Sequence, residues 1–164
     1  MADGDVRQLV DAARALLDAN WTSGSTVPSR TLYPHQWSWD SAFIAIGRSV
    51  YDQGRAEREL ESLFAAQWSN GMVPHIVFSP GVSDADYFPG PGFWDAHRTG
   101  RVPRGVRTSG ITQPPIHARA ALELYRNARA PKHRSASCAG CTQGCGRSMT
   151  TLHATAIRLG PACR

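Results

Sequence analysis

Apolar residues recur at helical spacing from the start of the chain. Val6, Leu9, Val10, Ala13, Leu16 and Leu17 fall together while Arg7, Asp11 and Arg14 lie between them, which predicts an amphipathic helix over Asp5 to Asn20, with Asp3 or Asp5 able to cap it. The Ser-, Gly- and Pro-containing stretch Thr22 to Arg30 then reads as a loop. An aromatic run, Leu32 to Asp40, follows. A second helix is predicted to begin near Ser38 to Asp40 and to bury Phe43, Ile46, Gly47 and Val50. Asp52-Gln53-Gly54 breaks the pattern, and a third helix is predicted from Arg55 to Ser69, with Ala56, Leu60, Leu63, Phe64 and Trp68 on one side. So short a turn forces the two helices antiparallel, as an αα-hairpin. Residues 70–113 form a long Gly- and Pro-rich connection with room for short strands around Val73 to Phe78. Pro114 to Arg129 reads as a fourth helix that starts on prolines and buries Ile116, Ala120, Leu124 and Tyr125. Repeated helical hairpins with their loops at one end predict an all-α architecture.

Charge divides the chain in two. Its 164 residues are 41% hydrophobic and 9% aromatic, enough for one domain with a core. Residues 1–130 hold 13 basic and 13 acidic side chains together with every Trp, Tyr and Phe. The whole excess of +5 therefore sits in residues 131–164, which hold all four cysteines and neither an acid nor an aromatic residue. The domain reading is thus 1–130 for the folded part and 131–164 for a basic, cysteine-containing tail, read as irregular, disordered or frameshifted. A charge-balanced helical part argues against a nucleic-acid partner. The acidic opening Met-Ala-Asp-Gly-Asp is unlike a signal peptide, and no apolar run nears the ~20 residues of a membrane span. The expectation is a cytoplasmic protein with no membrane partner and no cofactor.

The chemistry-bearing residues concentrate in four blocks. These are Tyr33-Pro34-His35-Gln36-Trp37-Ser38-Trp39-Asp40-Ser41-Ala42-Phe43, Tyr51-Asp52, Gln67-Trp68-Ser69-Asn70-Gly71-Met72-Val73-Pro74-His75, and Tyr87-Phe88-Pro89-Gly90-Pro91. Together and in this order they resemble glycoside hydrolase family 63, in its mannosylglycerate/glucosylglycerate hydrolase-like branch, strongly over residues 30 to 116. The resemblance implies an (α/α)6 toroid with a sugar pocket at one end, and inverting hydrolysis of a small glycoside by two carboxylates. It also implies that Tyr33, Trp37 and Asp40 line the sugar subsite, that Gln113 reaches the substrate, and that Tyr87 sits on a mobile loop over the pocket. The residue types suit that role: the faces of Tyr33, Trp37 and Trp39 can stack on a pyranose, and Asp40 can accept hydrogen bonds from adjacent hydroxyls. Taken singly, Trp37 and Trp39 suit a helix–helix core better than a sugar contact, Asp40 suits a helix N-cap at least as well, and His75 better suits an ordinary loop position than a catalytic base.

Other features depart from the family pattern. A closed ring of twelve helices of ~12 residues with eleven connections of ~5 needs ~200 residues, so the toroid is expected to be incomplete. No acid follows Glu123, and the His-Pro-Trp-Glu-Ser-Gly-like block that carries the first catalytic carboxylate in the family is missing, so no catalytic residue is assigned. Two readings stand: a truncated, inactive piece of a glycosidase, or a non-catalytic carbohydrate-binding module that keeps the sugar subsite. The truncated reading brings further partners, either the missing C-terminal half or another copy meeting exposed apolar surface. The composition of the tail is what translation in a wrong frame near residues 129–131 would give. A zinc site on Cys138, Cys141, Cys145 and His153 or Cys163 is the sharper alternative, ranked below it because the second half lacks a matching pair, and no metal ligand is assigned. Arg98, Arg101, Arg104 and Arg107 are candidates to meet a glycerate carboxylate, with a solvated loop as the plainer reading.

Overall fold

Alternation of small and large residues along one helix sets the architecture. In the computed structural model, which describes residues 3–129 apart from Ser23, that helix is α2 (Ser38–Ser49). Its buried face is Ser38, Ser41, Ala42, Ala45, Arg48 and Ser49, a set at helical spacing made mostly of small side chains. Helices α3 (Gln53–Ala65) and α5 (His117–Arg129) pack against that face. The shared core is Ala42, Ala45, Ala56, Leu60, Ala120 and Leu124, with Ile46, Phe64 and Ile116 partly buried around it. Alanine at the contact lets helix axes approach closely, so long apolar side chains are not needed between them. The α2–α3 hairpin is thus as expected, but Phe43, Gly47 and Val50 are not buried: Phe43 is 51% and Val50 72% exposed. Hydropathy rotates the predicted stripe toward the larger residues, whereas packing selects the smaller ones. Tyr125 of α5 is likewise exposed.

Boundaries move for identifiable reasons. The triplet expected to break the pattern begins α3, because the Asp52 carboxylate accepts the Arg55 backbone N–H at 3.1 Å and caps the helix. Past Ala65 the chain turns at Gly71, whose φ of +88° suits glycine, and Trp68 swings inward to donate its indole N–H to Thr108 Oγ1 at 3.0 Å. The fourth predicted helix begins at His117, after Pro114 and Pro115.

The remaining elements are short. Strands β1 (Gln36–Trp37) and β2 (Ile76–Val77) pair antiparallel, Gln36 with Val77 and Trp37 with Ile76. The long connection runs out and back beside β2: His75 and Phe78 donate backbone N–H groups to Ile111 O and Arg107 O, and Ser109 donates to Ile76 O. Its far end carries a single turn, α4 (Pro91–Trp94), and a 3₁₀ turn at Ala96–Thr99.

Helix α1 (Asp3–Ala19) contains both Asp3 and Asp5 within its length. It is held by its C-terminal end, where Arg48 donates to Leu17 O at 2.6 Å and Arg30 to Ala19 O at 2.6 Å, satisfying carbonyls that a helix end leaves open. Arg48, fully buried, also reaches Asp18 at 3.1 Å and lies over the Trp21 ring. The rest of the α1 stripe is uncovered, with Leu9 67% exposed and Val6, Val10 and Leu16 above 40%. The tail 131–164 and its zinc alternative lie outside the described residues.

Two outcomes are expected. Leu60→Ala should cost about 2–5 kcal/mol in urea-induced unfolding, whereas Val50→Ala should stay within about 0.5 kcal/mol. Lysine at Val6 and Leu9 should reduce concentration-dependent association in sedimentation velocity with little change in melting temperature.

Candidate functional site

The segment 36–41 is fixed on one side and open on the other. On the fixed side Gln36 Nε2 and Ser41 Oγ donate to the buried Glu59, Ser38 Oγ shares a hydrogen bond of 2.9 Å with His117 Nε2, and Ser38 N–H donates to His75 O. On the open side Trp39, Asp40, Phe43 and Ile44 share one face of α2 and line a cavity of about 520 Å³. Leu16, Leu17 and Asn20 of α1, Val27 and Pro28 of the loop, and Gln113 complete it.

Asp40 stands in the first turn of α2, where a carboxylate favours the helix N-terminus. It is not the N-cap; that position belongs to Trp37, which makes no side-chain cap. Among the described residues the Asp40 carboxylate pairs with no cation and takes no hydrogen bond from another side chain. Burial pushes its pKa up, against its own backbone N–H. Gln113 approaches from the segment before α5, and its Oε1 accepts the Trp39 backbone N–H at 2.8 Å. That leaves its amide NH2 as the free end. A carboxylate with vacant acceptor positions, an amide donor and two indole and phenyl faces, Trp39 and Phe43 tilted by 30° at 6.0 Å, are the groups that grip a polyol ring.

Of the residues singled out in the sequence, Asp40 and Gln113 therefore meet in one cavity. Tyr33, Trp37 and Tyr87 do not line it and make edge-on contacts with other aromatic rings instead. Tyr33 meets Trp37 edge-on at 5.4 Å, and Trp37 meets His75 at 4.8 Å. Tyr87 stacks edge-on with His35 at 4.5 Å, and its phenol is raised by burial and by nearby Tyr33. A Cβ on Gly90 would lie 3.1 Å from the Tyr87 carbonyl, so the turn after Tyr87 suits glycine. The indole N–H groups of Trp37 and Trp94, which flank His75, are buried without a partner among the described residues. Burial lowers the pKa of His75, of His35 with help from Arg107, and of His117 against the pull of Ser38, so the three rings are held neutral at pH 7.

Phe43 escaped the sequence reading as a cavity residue, although its spacing from Trp39 places both on one helical face. Leu16, Leu17, Asn20, Val27 and Pro28 carried no such signal, because they arrive through tertiary packing. Arg98 and Arg107 are tied to Asp95 and Asp84, and none of the four loop arginines lines the cavity. Among the described residues no cluster of three or more His, Cys, Asp or Glu could hold a metal ion. No helix there is long and apolar enough to cross a membrane.

A family model described as the mannosylglycerate hydrolase MGH1-like glycoside hydrolase domain matches residues 33–140. A mannosylglycerate hydrolase of Rubrobacter radiotolerans is 53% identical over 131 residues, covering 79% of this chain and 29% of that protein. A glucosylglycerate hydrolase of Mycolicibacterium hassiacum is 49% identical over 123 residues, covering 74% and 27%. The crystal structure of a family 63 mannosylglycerate hydrolase from Thermus thermophilus, in complex with Tris and D-glycerate, matches with a TM-score of 0.62 at 44% identity, covering 72% of this chain and 26% of that one. This chain spans under a third of the length of these relatives. Its helices α2, α3 and α5 are accordingly part of a helical toroid that these residues leave incomplete, and the chain belongs to the mannosylglycerate hydrolase MGH1-like glycoside hydrolases of family 63.

Proposed function

We propose that this stretch of chain forms part of the sugar-binding wall of an inverting α-glycosidase that acts on mannosylglycerate, glucosylglycerate or a similar small charged glycoside. The observation that carries the reading is the half-buried, unpaired Asp40 carboxylate beside Gln113, Trp39 and Phe43 in one cavity. Asp40 accepts hydrogen bonds from neighbouring sugar hydroxyls, the Gln113 amide donates to an oxygen, and Trp39 meets the apolar ring face. Tyr33 and Trp37 border the subsite, and Tyr87 acts from the adjoining loop.

Inversion needs two carboxyl groups about 6.5–9.5 Å apart, one to protonate the leaving oxygen and one to activate water. Among the described residues the cavity is lined by a single carboxylate, Asp40. The 164 residues alone are therefore expected to bind sugar without turnover, and the acid and base come from elsewhere in a complete toroid. The same observation favours the second reading, a non-catalytic carbohydrate-binding module. The exposed stripe of α1 supports contact with further toroid helices, or with a second copy.

Titration of tryptophan fluorescence with mannosylglycerate should give a saturable response in the 164-residue protein, and no saturation would overturn the reading. Asp40→Asn should weaken binding about tenfold, the loss of one charge-assisted hydrogen bond of ~1.5 kcal/mol. Because the binding form is the ionised carboxylate and burial raises its pKa, affinity should be full at neutral pH. It should fall on acidification with a midpoint above the ordinary aspartate value of about 3.9, and this dependence should vanish in Asp40→Asn.

A further inference from the structure

Glu59 lies in α3, outside the cavity, and is fully buried with no basic side chain of the described residues within ion-pair distance. Its oxygens are nonetheless occupied. Oε1 accepts from Ser41 Oγ at 2.6 Å and from Gln36 Nε2 at 3.3 Å, and Oε2 accepts the Thr26 backbone N–H at 2.7 Å. Gln36 Nε2 donates further to the Glu59 carbonyl and to Ser41 Oγ, both at 3.0 Å, and Ser62 Oγ donates to Gln36 Oε1.

The partners of Glu59 are placed with respect to the cavity. Gln36 precedes Trp37, Ser41 follows Asp40, and Thr26 precedes Val27 and Pro28. One carboxylate thus holds both ends of the segment that bears Trp37, Trp39 and Asp40, and the strand of loop forming a second wall. A stability role alone requires only that a buried carboxylate be satisfied. It does not require that its donors bracket the cavity residues on two separate segments.

We propose that Glu59 is the positioning residue of the sugar subsite, fixing Asp40 and Trp39 relative to Val27 and Pro28 through its bonds to Ser41, Gln36 and Thr26. It touches no sugar. The inference rests on the sugar-binding reading for its functional meaning, while its geometric content can be read without ligand. Glu59→Gln keeps the shape but presents an N–H2 group to a site filled by donors, so one bond to Ser41 or Thr26 must reverse or break. Ser41→Ala removes the bond to Glu59 Oε1 and the one that Ser41 Oγ accepts from Gln36, but leaves the carboxylate its other partners, which makes it the milder probe should Glu59→Gln fail to fold.

The test uses the 164-residue protein labelled with ¹⁵N, with and without mannosylglycerate. In the free protein, Ser41→Ala and Glu59→Gln should move the indole signals of Trp37 and Trp39 and leave that of Trp68, bonded to Thr108, in place. Unmoved Trp37 and Trp39 signals would overturn the proposal. With ligand, each variant should lose affinity about tenfold or more, as displacement of a binding group by a fraction of an ångström to one ångström does. The effect of Glu59→Gln should also be largely absent in an Asp40→Asn background, the non-additivity expected of a residue acting through Asp40. Full affinity in the variants, or strictly additive losses, would make Glu59 merely structural. If the unmodified protein binds no mannosylglycerate, the sugar reading falls, and the free-protein spectra alone decide whether Glu59 positions this wall.

Discussion

A carboxylate removed from water must find donors for its oxygens, and Glu59 finds them on two segments remote from it in sequence, one at Thr26 and one running from Gln36 to Ser41. Thr26, Gln36 and Ser41 meet only because α3 lies against α2 and the polar loop folds over both. Burial pushes the pKa of Glu59 upward against the hydrogen bonds from Ser41 and Thr26 and the more distant Arg48. The folded state therefore holds its proton more tightly than the unfolded chain, and the contribution of Glu59 to stability declines as pH rises from the ordinary carboxylate range through that raised value. A polar hub of this kind adds specificity of arrangement to the plain alanine packing of the three helices.

That packing explains the two-sided character of α2. Its small-residue face lets α3 and α5 close in, which frees the larger Trp39, Phe43 and Ile44 to face outward. An outward aromatic face is costly in an isolated domain. It becomes useful when it forms the wall of a cavity that holds a carboxylate and an amide at its rim. The same logic applies to α1, pinned at one end by two arginines and uncovered along its apolar stripe.

The family relationship gives these faces a common context. The related hydrolases are more than three times the length covered. Among the described residues the cavity is lined by a single carboxylate, and the apolar stripe of α1 is uncovered. Edge-on ring contacts among Tyr33, Trp37 and His75, and between His35 and Tyr87, hold these loop residues in fixed orientation.

The sequence by itself determined the helices, the αα-hairpin, the family and the short list that includes Asp40 and Gln113. Helical periodicity is a local property, and the motif blocks are contiguous, so both survive without coordinates. Tertiary structure alone decided which face of α2 is buried, since hydropathy weights Phe43 and Val50 above Ala42 and Ala45 while close helix approach demands the reverse. It also decided that Asp52 caps a helix rather than breaking one, that Gln113 reaches Trp39 across more than seventy residues, and that Glu59 is buried. In α3, Glu59 reads like any polar position beside Glu57 and Glu61. Only donors arriving from remote segments make its burial tolerable, and no local pattern records where those donors will come from.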